Sequence, residues 1–442
     1  MPGRRAQGWR RVAFGHWVTI IALVALCARL LVFVTSPGFR PIADSQTYDR
    51  MASSLARTGS LPRTPIPPFR SATAYPPPLF PVVLAVAYRA VGPTDPQARQ
   101  NAGRVLEALL GTAAVVFVCL ITVRLFGPRV ALAAGALAAI YPPLVLVGSS
   151  LMTESLFIPL VLAATLAALR GRDSPRPERW APATGVLIAL AALTRGNGII
   201  LALPLGLLLG AEAPRRRSGV RRRWRAATPA AMLLAIVVTL APWTIRNARQ
   251  FHELVPITTE NGYALAGTYS SAADHARYPT LWTSPFPQVE QALARDPRLN
   301  EAQISDRLAR DAWGYVRAHP AYPLKVAKWS AIRLLNLSGT GFERWNATWE
   351  GYPRYLAVAS VIAFWLLGLL ALLGVARGAL RRAPAALWGV PVVILLSVLP
   401  FAGSTRYRSP LDPFLVMLAA AALAGVRRGR WRQGGRLPSA AE

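Results

Sequence analysis

Histidine and cysteine are scarce in this chain, and their scarcity closes several functional routes. Its four histidines, at 16, 252, 275 and 319, show no zinc-ligand spacing. Its two cysteines, Cys27 and Cys119, lie in apolar runs, which implies buried free thiols and no disulfide framework. Acidic residues are few, 20 against 50 basic, and the net charge of +30 is nearly all arginine. There is no phosphate-binding glycine loop followed by Lys-Ser/Thr, no dinucleotide fingerprint and no nucleophile elbow. Without an ATP site, any group transfer must draw on an activated substrate. The arginines form short clusters between apolar runs, the pattern of cytoplasmic loops, so no nucleic-acid partner is expected.

Apolar sequence, in contrast, is plentiful. Of 442 residues, 53% are hydrophobic. Several uncharged runs reach roughly 18 residues, enough to cross a hydrocarbon core of about 30 Å. The fold class is an all-α polytopic membrane protein, since a β-barrel would show short alternating segments. Arg4, Arg5, Arg10 and Arg11 precede an apolar run from Val12 to Val34. That run is too long for a signal-peptide core and reads as a retained first membrane helix.

The short run at 79–92 decides the topology. It follows Pro76, Pro77 and Pro78 and contains Arg89. If it spanned, the arginines at 215–217 and 221–223 would fall outside, against the charge rule. As an interfacial or re-entrant helix it leaves ten spanning helices, with every basic cluster and both termini cytoplasmic. The expected organisation is a catalytic membrane module over 1–245, whose first outer loop spans 36–78. An extracytoplasmic segment with amphipathic helices follows over 246–352. The chain ends in membrane helices over 353–426 and a basic cytoplasmic tail over 427–442. Within the outer segment, helical spacing over Gln288 to Arg317 is broken near Asn300 by Asp296-Pro297. The stretch Pro320 to Asn336 interleaves Lys325, Lys328 and Arg333 with apolar residues, as a helix on the membrane surface does.

Charged residues in or beside apolar runs are functional candidates, because a charge near mid-bilayer costs about 2.5–3.5 kcal/mol on insertion scales. Asp44 lies one helical turn before Tyr48, at the head of a helical stretch, where an N-cap is the plain alternative. Glu154 starts another helix, where Thr153 and Glu154 could simply cap it. Glu107 sits near Arg104, which suggests a local ion pair. Asp412 reads as a first-turn acid. Arg246, Arg406 and Arg408, and less clearly Arg195, lie at the outer ends of helices, and arginine's planar fork suits phosphate. Headgroup snorkelling is the alternative for these arginines.

The ordered series ADSQTYDRMASSL, AYPPPLFPVVLAV, MTESLFIPL, LTRGNGIILALP, APWTIRNARQFHELVPITTENGYALAGT and TRYRSPLDPFLVMLAAA resembles the GT-C superfamily of glycosyltransferases. In particular it resembles bacterial relatives of protein O-mannosyltransferases and of aminoarabinose transferases (glycosyltransferase family 39 type). The resemblance implies a GT-C fold and transfer of a sugar from a polyprenyl-phosphate donor to a protein, lipid or glycan acceptor on the extracytoplasmic face. It makes Asp44 the base or acceptor-orienting acid and Glu154 its second acidic residue. Substrate contacts then fall to Tyr48, Tyr75, Arg195, Arg246, Asn247, Arg406 and Tyr407, and a divalent cation, if one takes part, to Asp44 and Glu154. Two departures stand out. Ala74-Tyr75-Pro76 replaces a Glu-Lys-Pro of aminoarabinose transferases, and Asp44-Ser45 replaces a pair of acids. From other classes, a transporter or flippase of a lipid-linked anion, or a polysaccharide polymerase or ligase, would also account for many helices and outward arginines.

Overall fold

The computed structural model describes residues 2–62, 73–174, 176–210, 222–401 and 403–425, with side chains of 2–12 and 222–226 excepted. The arginine cluster at 215–217, the tail at 427–442 and the middle of the first loop lie outside the described residues. Among these residues every regular element is a helix. The first half comprises α1 (Pro2–Thr35), α2 (Ala43–Thr58), α3 (Leu79–Val91), α4 (Pro96–Phe126), α5 (Pro128–Ile140), α6 (Pro142–Leu146), α7 (Glu154–Asp173), α8 (Trp180–Thr194), α9 (Ala202–Gly210) and α10 (Arg222–Phe251). The second comprises α11 (Glu260–Thr268), α12 (Ser271–Asp274), α13 (Phe286–Arg295), α14 (Glu301–Ala318), α15 (Tyr322–Leu334), α16 (Gly339–Glu350), α17 (Arg354–Ala376), α18 (Ala385–Val398), α19 (Thr405–Arg408) and α20 (Asp412–Leu423).

By length and composition, the parts Ala13–Thr35, Pro96–Phe126, Glu154–Asp173, Ala227–Phe251 and Arg354–Ala376 suffice to cross a membrane. Five further apolar helices, α3 among them, are shorter. Several expected spans are therefore not continuous helices. The run at 129–148 breaks at Tyr141 because Pro142 and Pro143 cannot continue the hydrogen-bond ladder, and it resumes as α6. The run at 197–211 opens with a 3-10 turn over Gly196–Leu201. Large apolar residues stand exposed on these helices: Leu23, Val24 and Leu31 on α1, Val237 and Val238 on α10, and Leu366, Leu369 and Leu372 on α17.

Small residues bring the membrane helices together. The main core joins Ala114, Val118, Ala134, Ala138, Val161 and Ala168 to a run of alanines on α20. Without a hydrophobic force between helices in lipid, such close backbone approach supplies the packing energy. Helix α1 contributes Ile21, Ala25, Arg29 and Val32, spaced along one face. Cys27 lies off that face and is exposed, contrary to its expected burial, while Cys119 is buried. Arg29 donates to the carbonyls of Ala25 and Leu144, at 2.9 and 3.0 Å, so it turns into the bundle.

The segment between α10 and α17 folds as α11–α16. Asn300 caps α14, its side chain accepting from Gln303 N while Gln303 accepts from Asn300 N, so the break falls where Asp296-Pro297 suggests. Helix α15 departs from the surface-helix pattern. Arg333 is only 1% exposed and donates to the carbonyls of Gly403 and Pro279, at 2.8 and 2.9 Å, stapling the segment to the loop before α19. Lys325 is paired with Asp274.

Candidate active site

The first acid stands on a strained backbone. Ala43 has φ +48°, in a region that a residue with a Cβ adopts at a cost of order 1–3 kcal/mol. Asp44 does not cap α2. Ser45 does that work, its hydroxyl accepting from Ile42 N at 2.9 Å and donating to Ile42 O at 2.7 Å. The Asp44 carboxylate is thereby left for another partner, Arg406 Nη2 at 2.7 Å. Asp49 faces elsewhere, bound by both Arg99 and the Tyr88 hydroxyl.

The second acid is positioned by residues of α4. Leu151 and Met152 donate their backbone N–H groups to the two oxygens of Glu107, at 2.9 and 2.7 Å. Leu151 is itself at φ +58°. Arg104 donates to Ser149 O and Ser36 O, at 3.0 and 3.2 Å. Their hydrogen bonds thus do not form the expected local ion pair. Side by side, they clamp the turn that leads into α7. Glu154, fully buried at the head of α7, pairs with Arg195 and accepts from Thr153 Oγ1. Arg406 Nε lies 3.0 Å from Glu154 Oε1 but is not aligned to donate to it.

One guanidinium therefore bridges Asp44 and Glu154. A third carboxylate reaches it: Glu350 Oε2 accepts from Arg406 Nη1 at 2.9 Å. The Tyr407 ring sits between two cations, 4.8 Å from the Arg406 guanidinium and 5.1 Å from that of Arg195. Glu260, half-buried at the start of α11, lies in the field of Asp44, Arg195, Arg406 and Glu154. Burial first, then the charge of Asp44, push its carboxyl up to about 7. Burial likewise pushes Glu350 up to about 7, against the pull of Arg406.

The wall beside Asp44 is made by the end of the first loop. Glu301 accepts from Ala74 N at 2.9 Å and from Thr259 Oγ1, while Thr258 Oγ1 donates to Ala74 O at 2.9 Å. This clasp sets Tyr75 against Tyr263, ring centres 5.2 Å apart, and holds the stretch before Glu260. Arg246 supports the same strand of chain from below. It donates to Thr73 O and to Asn247 Oδ1, both at 2.9 Å, and stacks on Trp243. Asn247 is buried and donates to Val255 O at 3.1 Å. Tyr48 is buried near Asp44 with its ring edge on Phe80.

Of the singled-out residues, Asp44, Glu154, Arg195, Arg406 and Tyr407 thus form one contact cluster, with Tyr48 and Tyr75 in its wall. Arg246 and Asn247 stand behind that wall. Arg408 belongs to the frame: it pairs with Asp412 at 3.0 Å, donates to Leu334 O and stacks 3.6 Å from the Phe364 ring centre. Glu260 and Glu350 went unrecognised in the sequence because neither lies within an apolar run. Their one signal was a place near an end of the 246–352 segment, next to a long apolar helix. A divalent cation shared by Asp44 and Glu154 does not fit this arrangement, because Arg406 already bridges the two. Among the described residues no three His, Cys, Asp or Glu side chains are grouped to hold a metal.

Residues 77–243 match the protein family described as dolichyl-phosphate-mannose-protein mannosyltransferase. No curated protein matches the chain. Among solved structures, the archaeal oligosaccharyltransferase AglB from Archaeoglobus fulgidus, in complex with an inhibitory peptide and a dolichol-phosphate, aligns with 94% of this chain at 14% identity and TM-score 0.54. An Archaeoglobus fulgidus oligosaccharyltransferase in the apo form aligns with 93% at 16% identity and TM-score 0.56. This chain covers only 50% of the length of either. ArnT from Cupriavidus metallidurans, bound to undecaprenyl phosphate, gives a weaker likeness, with 18% identity, TM-score 0.43, and coverage of 93% of this chain and 78% of that one. The chain therefore shares the fold of these oligosaccharyltransferase structures, and the family match is confined to residues 77–243.

Proposed function

We propose that this protein is a membrane glycosyltransferase that takes a sugar from a polyprenyl-phosphate donor and joins it to a hydroxyl-bearing acceptor at the extracytoplasmic face. The observation that carries this reading is the placement of Asp44. Its side chain is 46% exposed, whereas those of Arg406 and Glu154 are 6% and 0% exposed. A reachable carboxylate thus stands on a buried, charged platform. Asp44 takes the proton of the acceptor hydroxyl, whose oxygen attacks the anomeric carbon. The bond from that carbon to the phosphate oxygen breaks, and its electron pair leaves with the polyprenyl phosphate. Arg406 and Arg195 supply the positive field that the departing phosphate needs. A single displacement inverts the anomeric centre.

The proposed sidedness has its own support. Helix α7 runs 20 residues from Glu154 to Asp173, about 30 Å at 1.5 Å per residue. At its far end Asp173 meets Arg124 and Arg172, and Arg170 stacks on Trp180. Arg377 closes on Ala422 O, at the ends of α17 and α20 away from the site. The positive-inside rule makes that end cytoplasmic and the site extracytoplasmic.

The deciding experiment uses purified protein in lipid with a labelled polyprenyl-phosphate sugar and a membrane extract as acceptor source. Label should move from lipid to acceptor. Label that crosses the bilayer but stays on its lipid would instead identify a transporter.

A further inference from the structure

Helix α16 ends on Glu350, and the chain then turns sharply into membrane helix α17. Gly351 makes the turn, at φ +71°, a conformation that glycine adopts without strain. Its carbonyl accepts from Ser150 Oγ at 3.3 Å, which ties the turn to the loop before Glu154. The end of the outer segment is thereby locked against the loop of the second acid, with the Glu350 side chain directed at Arg406.

Arg406 is held at three points by three elements. Asp44 from α2 takes Nη2, which also donates to the neighbouring Tyr407 hydroxyl at 3.2 Å, Glu154 from α7 lies beside Nε, and Glu350 from α16 takes Nη1. The one other neighbour of Nη1 is Met152 Sδ at 3.3 Å, a weak acceptor. Behind the guanidinium lies a cavity of about 30 Å³ lined by Glu343, Asn346, Tyr352, Thr405, Arg406 and Arg408. It has room for one or two waters and gives the Arg406 side chain space to retreat. Without Glu350, the anions left to Arg406 are Asp44 and Glu154. The fork would then turn to take Asp44 more fully, or sink towards Glu154 and the cavity. Either movement takes the reachable carboxylate or its cation out of place.

We propose that Glu350 is a positioning residue that acts through Arg406, fixing the guanidinium so that Nη2 is the nitrogen presented to Asp44. This rests on the reading of Asp44 as the base. It assigns a role in the reaction to a residue of the extracytoplasmic segment, which would otherwise only cover the site.

The test separates reach from charge. Glu350→Gln keeps an oxygen of the same length without the charge. Glu350→Asp keeps the charge but falls one carbon short. If the role is positioning, Glu350→Gln keeps kcat within about 3-fold of the parent. Glu350→Asp and Glu350→Ala then lose about 10- to 100-fold in kcat with little change in donor KM, the scale expected for a misplacement near 1 Å. Structures of the parent and of Glu350→Ala in lipid nanodiscs form the second arm. In the variant, Arg406 should leave its three-point position. The proposal is overturned if Glu350→Asp is as active as Glu350→Gln, if KM alone changes, or if Arg406 stays in place without Glu350. A parent protein that transfers no sugar from polyprenyl phosphate would remove the proposed function, and the structural arm would still decide the role of Glu350.

Discussion

Asp44 and Arg406 are 362 positions apart in the chain and 2.7 Å apart in space. The pair closes the bundle on itself, since α2 follows the first long helix and α19 precedes α20, the last described helix. It also leaves Asp44 with one oxygen held by a guanidinium and its side chain 46% exposed.

Replacing Asp44 with Asn should lower transfer by about 10²- to 10⁴-fold, the usual contribution of a positioned general base. Thermal unfolding should hardly change, because a half-exposed ion pair contributes roughly 0–1 kcal/mol. Transfer of labelled sugar and the melting temperature, measured on the same preparation, check both parts. Near-normal transfer by the variant removes Asp44 from the reaction.

Arg406 carries the opposite balance. Truncating it to Ala leaves Glu154 with Arg195 and Glu350 buried without its paired cation, and breaking a buried pair in this way costs about 3–5 kcal/mol. Poor folding yield and early melting are expected. Adding Glu350→Gln to the truncated protein should restore part of the stability, since one uncompensated charge is gone. A double variant no more stable than the single one would show that the charges are not coupled.

Helix α17 offers an internal comparison of packing. A Cβ built at Gly374 would lie 2.1 Å from Leu418 O, whereas at Gly368 nothing lies within 4 Å. Gly374→Ala should push α20 away and destabilise the bundle by about 1–3 kcal/mol, the range for overpacking. Gly368→Ala should be neutral or slightly stabilising, given alanine's better helix propensity. Melting curves of the two variants in the same detergent decide the matter.

The buried acids outside the membrane helices set a pH dependence of stability. Glu343 is 5% exposed, and burial raises its carboxyl from 4.5 to about 7. The folded state therefore holds this proton more tightly than the unfolded chain does. The resulting stabilisation is complete below about 4.5 and is lost as pH rises through about 7. Glu260 and Glu350 act in the same direction. The parent protein should melt a few degrees lower at about pH 8.5 than at about pH 5.5. Glu343→Gln should flatten part of that slope, and a slope of the opposite sign would refute the assignment.

Glu107 gives a last prediction. It accepts the N–H groups of Leu151 and Met152 inside the bundle. Glu107→Ala strands both donors, at about 1–3 kcal/mol each, and frees the turn that carries Glu154. Stability and transfer should fall together, while Glu107→Gln, which keeps one acceptor, should lose less of both. Loss of transfer at unchanged stability would point instead to a direct role for Glu107 in the reaction.

Much of the architecture was legible in the chain. The apolar runs placed the membrane helices because hydropathy in lipid is a local property, needing only about 20 consecutive residues. Breaks in those helices were less legible. Proline at 142 and 143 is visible, but whether a proline kinks a helix or ends it depends on what neighbours satisfy the freed backbone groups. Asp44, Glu154 and Arg406 stood out because charge beside apolar sequence is costly. Glu260 and Glu350 did not, because an acid in a polar outer segment looks like any solvated one.

The membrane class, the arginine clusters between apolar runs and the series of candidate acids and arginines were properties of the sequence by itself, fixed by the energy of apolar and charged groups in lipid. Only the tertiary structure decided which carboxylate would meet which guanidinium. Ion pairing depends on separations of a few ångströms between residues hundreds of positions apart, and no periodicity in the chain encodes them.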